Sequence, residues 1–208
     1  MKIIECVQGD DIWTECRLGL PTASEFSRIV TPLGALSKSA NKYAYRLIAE
    51  TLLKRPMESL EGLEWIEWGK MNEADAVKMY EFQNEIETVK VGFITTDDGQ
   101  IGCSPDRLVG NDGILEVKCP APQTMVGYMI NGMDKDYIPQ VQGQLYVSER
   151  EWADWWGYNP EFPPVKVRTF RDEDYIKILS ESLKNFVDMK AEMLEKIRKQ
   201  GYFVNPTP

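Results

Sequence analysis

The stretch CSPDRLVGNDGILEVKCP, residues 103–120, holds the side chains best suited to chemistry. Side chains alternate between the faces of a strand, so Glu116 and Lys118 share one face while Leu115, Val117 and Cys119 share the other. The second face is wholly apolar and must be core. Asp106 lies across the Gly110-Asn111-Asp112-Gly113 turn. It reaches the Glu116 face only through an odd-length loop or a bulge, because a two-residue loop gives the wrong parity. Two carboxylates brought that close repel strongly unless a cation sits between them.

A lysine is too long and mobile to neutralise both acids in a fixed way. Mg2+ suits the task, since it takes oxygen ligands, keeps several waters and uses one or two protein carboxylates plus substrate phosphate. Lys118 is then free to hold or activate a water for in-line attack. The chain has no histidine, which removes Ser-His-Asp and Cys-His catalysis, His-ligated zinc and imidazole bases. Cys6, Cys16, Cys103 and Cys119 form no CxxC pair and no zinc spacing, and read as reduced thiols packed as small hydrophobes. The turns DDGQIG and GNDG lack EF-hand spacing and read as hairpin chemistry.

The elements that must position these residues follow from periodicity. Residues 22–30, TASEFSRIV, read as a short helix capped by Thr22 or Ser24. Residues 38–55 read as a longer helix on which Lys38, Lys42 and Arg46 fall at i, i+4 and i+8, either a solvated face or a basic track. In a helix over 61–84, Trp65, Gly69, Glu73, Val77 and Tyr80 share one stripe. Glu73 is either a partly exposed stripe edge or an inward acid able to serve a second metal ion or orient a water. Gly69 in mid-helix costs about 1 kcal/mol against alanine, and close approach of another backbone would explain it.

The period then changes to two: Val89, Val91 and Phe93 alternate, Asp97-Asp98-Gly99 turns, and Ile101–Val109 and Ile114–Cys119 complete an expected antiparallel meander. Residues 123–132 and 136–147 read as helices, Trp152–Tyr158 and Val165–Phe170 as strands. Trp152, Trp155 and Trp156 read as sheet packing. A last helix buries Ile176, Leu179, Leu183, Phe186, Val187, Met193, Leu194 and Ile197, with Asp172 or Asp174 as cap and Gly201 as stop. The order predicts an α/β sandwich with a mixed sheet flanked by helices, in a single domain over 1–208.

The chain has 208 residues and a formal net charge of -9, which argues against a passive nucleic-acid coat but not against a local basic track. Residues 26–49 contain Arg28, Lys38, Lys42 and Arg46 and no acid. No run is long enough to span a membrane, and the N-terminus does not read as a signal peptide, so a cytoplasmic protein is expected.

The order Asp106, then Glu116-Val117-Lys118, resembles the PD-(D/E)xK nuclease motif. RLGLPTASEF (17–26), WGKMNEADA (68–76), CSPDRL (103–108), LEVKCP (115–120) and YIPQVQGQLYV (137–147) occur in the order seen in lambda-type phage exonucleases, the YqaJ-like viral recombinases. The resemblance runs from about residue 8 to the C-terminal helix. It implies a PD-(D/E)xK (restriction-endonuclease-like) core and a magnesium-dependent, processive 5′-to-3′ exonuclease on linear double-stranded DNA. Such an enzyme leaves 3′ single-stranded tails for a phage annealing protein.

By the same resemblance, Asp106, Glu116 and the Val117 carbonyl would hold Mg2+ (two ions, with Mn2+ able to substitute), and Glu73 would sit at the second. Lys118 would position or activate the water, and Gln140 would support the site. Arg17 and Ser24 would grip the 5′-phosphate, and Lys38, Lys42 and Arg46 would face DNA in the channel of a ring-shaped homotrimer. Asp97 and Asp98 stand near a further family acid, but only with an alignment shift. Arg107 departs from the glycine that often follows SPD in the family. The alternatives are an endonuclease on the same core, restriction-type or structure-specific, and a catalytically silent DNA-binding protein.

Overall fold

The computed structural model describes residues 1–57 and 64–201, without the side chains of 64–66. The start of the expected 61–84 helix and the Trp65 side chain therefore lie outside the described residues.

Gly113–Lys118 forms β6, the centre of the main sheet. It is flanked by β5 (Arg107–Val109) and β7 (Trp152–Gly157), with β2 (Thr88–Val89) and β8 (Val165–Phe170) at the edges. Only β6 and β7 run parallel. A parallel pair needs a crossover, and here it is made by α4 (Pro122–Asn131), a 3-10 turn and α5 (Ile138–Ser148). These helices cover one face, burying Ile114, Met125, Tyr128, Val141, Leu145 and Trp155 together. The other face packs under α3 (Glu64–Asn84), where Ala76, Val77 and Tyr80 meet Leu115, Val117 and Trp156. The buried Trp155 and Trp156 thus serve sheet packing, one on each face.

A second, three-stranded sheet pairs β3 (Phe93–Thr95) with β1 (Lys2–Ile4) and β4 (Gly102–Cys103). This corrects the expected meander. The run over 101–109 breaks at Ser104-Pro105, where proline has no N–H to give a ladder, and its two ends enter different sheets. The run over 88–95 divides in the same way around Gly92, whose missing Cβ would stand 2.5 Å from the Cys6 carbonyl oxygen.

The third core cluster joins a 3-10 helix over Ala23–Arg28, α2 (Ala40–Leu53), the small sheet and α6 (Glu173–Lys199). Asp172 caps α6, its side chain accepting from Tyr175 N–H, and Gly201 follows the helix at φ 73. The C-terminal part of the expected α6 stripe, Met193, Leu194 and Ile197, is only half-buried. Gly143 lets α5 meet the 3-10 segment, since a Cβ there would lie 2.3 Å from Phe26. Helix α1 (Asp11–Arg17) and β1 were not anticipated by periodicity; both are short, and α1 buries no residue fully.

Lys38 lies outside α2, in a turn where Ser37 accepts from the Ser39 and Ala40 N–H groups. Local serine bonding of this kind competes with helix, so the expected three-residue basic face reduces to Lys42 and Arg46. Gly69 also differs from expectation. A Cβ there would meet nothing within 4 Å among the described residues, so none of their backbone packs against it.

Candidate active site

The β5–β6 register pairs Arg107 with Leu115, Leu108 with Ile114 and Val109 with Gly113. Three residues, 110–112, therefore close the hairpin, with Gly110 at φ 53 taking the left-handed conformation. The odd length makes Asp106 and Glu116 the next opposed positions, on one face. Asp106 Oδ2 accepts from Val117 N–H at 2.6 Å.

Glu116 is 3% exposed and fully engaged. Oε1 accepts from Lys118 Nζ at 2.5 Å and Gln140 Nε2 at 2.6 Å, and Oε2 accepts from Gln144 Nε2 at 2.6 Å. Only Gln140 is given a role from the sequence, although the spacing of four to Gln144 puts both amides on one face of α5. Burial first, then the charge of Glu116, pushes the Asp106 carboxyl well above its ordinary range, against the pull of Lys118 and the Val117 N–H. Burial alone would depress Lys118, but Glu116 and Asp106 outweigh it and hold the ammonium charged, with the Tyr137 ring 5.2 Å away.

Lys118, Val117 and Glu73 line a cleft of about 980 Å³ together with Trp68, Gly69 and Tyr128. Glu73 projects from α3 with its side chain 42% exposed and pairs with Arg107 Nη1 at 3.4 Å. Cys119 lines the same cleft. Burial, then Glu73 and Asp106, push its thiol up to about 12, so it stays protonated.

Next to Asp106 stands a pocket of a different kind. Arg17, at the end of α1, stacks 4.1 Å from the Trp13 ring centroid and donates to Ser104 Oγ at 3.2 Å and Thr22 Oγ1 at 3.4 Å. Thr22 and Ser24 hydroxyls are 3.5 Å apart, and Trp13 Nε1 also donates to Ser104. The structure thus joins Arg17 and Ser24 through Thr22. It adds Trp13, Thr22 and Ser104; Thr22 lies within RLGLPTASEF and Ser104 within Ser-Pro-Asp, whereas Trp13 had no sequence signal. Burial lowers the Arg17 pKa.

The other sequence candidates fall outside this group. Lys38 and Lys42 are exposed, and Arg46 pairs with Glu25 at 3.3 Å. Asp98 accepts from Thr96 Oγ1 at 2.5 Å and Gln100 N–H at 3.0 Å, which is turn bonding, and Asp97 pairs with the Met1 ammonium.

The donor set suits one hard divalent ion. Asp106 and Glu116 offer oxygens beside the Val117 peptide, and among the described residues no donor is bonded to Asp106 Oδ1. Burial and then the charge of Glu116 push Asp106 upward, the direction that a cation between the two acids would oppose. No three carboxylate or thiol groups among the described residues converge on one point. That fits an ion completed by water and substrate phosphate rather than caged by protein.

A mixed sheet flanked by helices, with an acid at the start of one strand and Glu-x-Lys on the next, defines a PD-(D/E)xK core. A sequence profile of the YqaJ-like viral recombinase domain matches residues 12–151, more than half of the chain, and the chain belongs to that family. None of the curated proteins matches it significantly. Among solved structures, an alkaline exonuclease (LHK-Exo) from Laribacter hongkongensis is 26% identical over 92% of this chain and 98% of its own, with a TM-score of 0.84. The same exonuclease in complex with dAMP gives a TM-score of 0.85 at the same identity and coverage. A phage-related exonuclease from Haemophilus somnus 129PT shares the fold at 14% identity, covering 86% of this chain and 96% of its own, with a TM-score of 0.65.

Proposed function

We propose that this protein is a Mg2+-dependent exonuclease. It engages the ends of linear duplex DNA, degrades one strand processively from 5′ to 3′ and leaves 3′ tails for a phage annealing protein. The observation that carries the reading is the hairpin register, which sets Asp106 opposite Glu116 beside Lys118 and a few residues from the Arg17 pocket. Membership of the recombinase family supports it, as does the related alkaline exonuclease solved with dAMP, a mononucleotide of the kind that stepwise digestion releases.

In this reading Asp106, Glu116 and the Val117 carbonyl hold Mg2+, with Mn2+ able to substitute, and Glu73 offers a place for a second ion. The ion supplies Lewis-acid polarisation of the scissile phosphate. Lys118 orients the attacking water, while Gln140 and Gln144 fix the Glu116 carboxylate so that it does not reorganise during reaction. Arg17, Ser24, Thr22 and Ser104 take the 5′-phosphate through a guanidinium and hydroxyls. Lys42 and Arg46, with Lys38 before their helix, contact the DNA backbone. The whole chain acts as one exonuclease domain, assembles as a homotrimeric ring and works in the cytoplasm of the phage host. No helix among the described residues is long and apolar enough to cross a membrane.

The test is digestion of 5′-phosphorylated and 5′-hydroxyl linear duplexes and of a closed circle, with Mg2+ and with chelator. Digestion of the linear forms alone, about tenfold faster on the phosphorylated end, and loss of that preference in Arg17→Ala, is the expected result. Cleavage of the closed circle would sink the exonuclease reading in favour of an endonuclease.

A further inference from the structure

Glu73 brings to the cleft a charge that the Asp106–Glu116–Lys118 group does not use. Its carboxylate lines the same cavity as Lys118 and Val117, and its ion-pair partner is Arg107, at 3.4 Å. Arg107 is not a loose surface cation. Its side chain is only 11% exposed, and the nitrogen that meets Glu73 also donates to the Asp106 carbonyl oxygen at 2.5 Å. A planar guanidinium anchored to the backbone holds its direction in a way that a flexible ammonium cannot.

Charge and geometry then agree. Asp106, Glu116, Glu73 and Glu161 against Lys118 and Arg107 leave two net negative charges when all are ionised. A single divalent ion cancels them, so a further cation would enter a cleft with no surplus negative charge left to draw it, at a Coulomb cost from the first ion that falls only inversely with distance. Glu73 also does not converge with Asp106 and Glu116: no three acid or thiol groups among the described residues do.

We infer that Arg107 competes with a divalent cation for Glu73, so that the cleft binds one ion tightly, at Asp106 and Glu116, and a further ion only weakly. This rests on the metal-dependent reading above and sharpens it. Arg107 acts here as a positioning residue. It keeps Glu73 pointed along the cleft while the second position is empty, and yields it only when ion concentration or the phosphates of bound DNA favour the exchange.

Titration of the full-length protein with Mn2+ alone, read by the electron paramagnetic resonance of free ion, tests it without reference to activity. The wild type is expected to show a tight and a weak step. Arg107→Gln is expected to tighten the weak step about tenfold, the scale of removing one partly screened charge, and to leave the tight step in place. Arg107→Lys, which keeps the charge but loses the planar anchor, should fall between wild type and Arg107→Gln, and Glu73→Gln should abolish the weak step alone. A weak step unmoved in Arg107→Gln, or retained in Glu73→Gln, overturns the inference while leaving the metal-dependent reading intact. No saturable Mn2+ uptake by the wild type, with Asp106→Asn indistinguishable from it, overturns both.

Discussion

Two buried carboxylates sit on the neighbouring strands β6 and β7, and their surroundings differ in one respect. Asp154 is inaccessible and accepts from Arg168 Nε and Nη2, at 2.7 Å each, and from the Tyr80 hydroxyl at 2.7 Å. Its charge is matched by one planar guanidinium, which in turn lies 3.8 Å from the Trp152 ring centroid. Glu116 is as deeply placed and as well bonded, but a second carboxylate, Asp106, shares its face. One lysine cannot balance both. Asp154 is neutralised within the fold, tying α3 to the sheet, whereas the Asp106–Glu116 pair keeps a negative charge beyond that of Lys118. Burial and hydrogen bonding do not separate Asp154 from Glu116; the second acid beside Glu116 does.

The largest expected effect breaks the Glu116 group. Lys118→Ala should lower nucleotide release from a labelled linear duplex by about a thousandfold, or roughly 4 kcal/mol of barrier, with binding to DNA ends retained. Undiminished degradation would remove Lys118 from the reaction.

The Asp154 group should answer in stability instead. Arg168→Leu leaves Asp154 buried with one donor and should cost about 3 kcal/mol in urea denaturation, with little change in activity per folded molecule. A larger loss of activity than of stability would erase the contrast.

The smallest effect has the opposite sign. Asp106→Asn should raise the melting temperature of the metal-free protein by about 3 °C, the equivalent of roughly 1 kcal/mol in a chain of this size, because it relieves the repulsion. The pH dependence follows from the raised folded-state pKa of Asp106. Its contribution to stability is full below the ordinary value of 3.8 and is lost as pH rises through the raised one. Asp106→Asn should flatten that part of the metal-free profile, and Mg2+ should flatten it in the wild type. A profile identical in both proteins would mean that the two acids do not interact.

Much of this contrast is legible in the sequence, because it rests on parity. The period of two put Glu116 and Lys118 on one face, and it required the odd loop that residues 110–112 provide. What stayed hidden depends on contacts across long stretches of chain. Trp13 and Thr22 are near neighbours of Arg17 in the chain, but Ser104, which draws Trp13 and Arg17 together, lies 87 residues beyond Arg17. The division of 101–109 between two sheets was signalled only by Pro105, whose missing N–H interrupts a ladder without saying where the chain goes next. Lys38 looked helical by spacing, but Ser37 diverts the backbone into a turn before α2 begins.

Those sheet changes have a mechanical consequence. The chain passes between the small and the large sheet around Gly92 and again at Ser104-Pro105, and one side chain fastens both crossings: Gln8 Nε2 donates to Val91 O at 3.0 Å and to Pro105 O at 2.8 Å. Helix α5 also spans both sheets, packing on β3 and β4 as well as on β7. Ser104 of the Arg17 group and Asp106 stand two residues apart, on either side of Pro105. The step between the place where a strand end would be gripped and the place where it would be cut is therefore set by the turn at Pro105 that Gln8 holds.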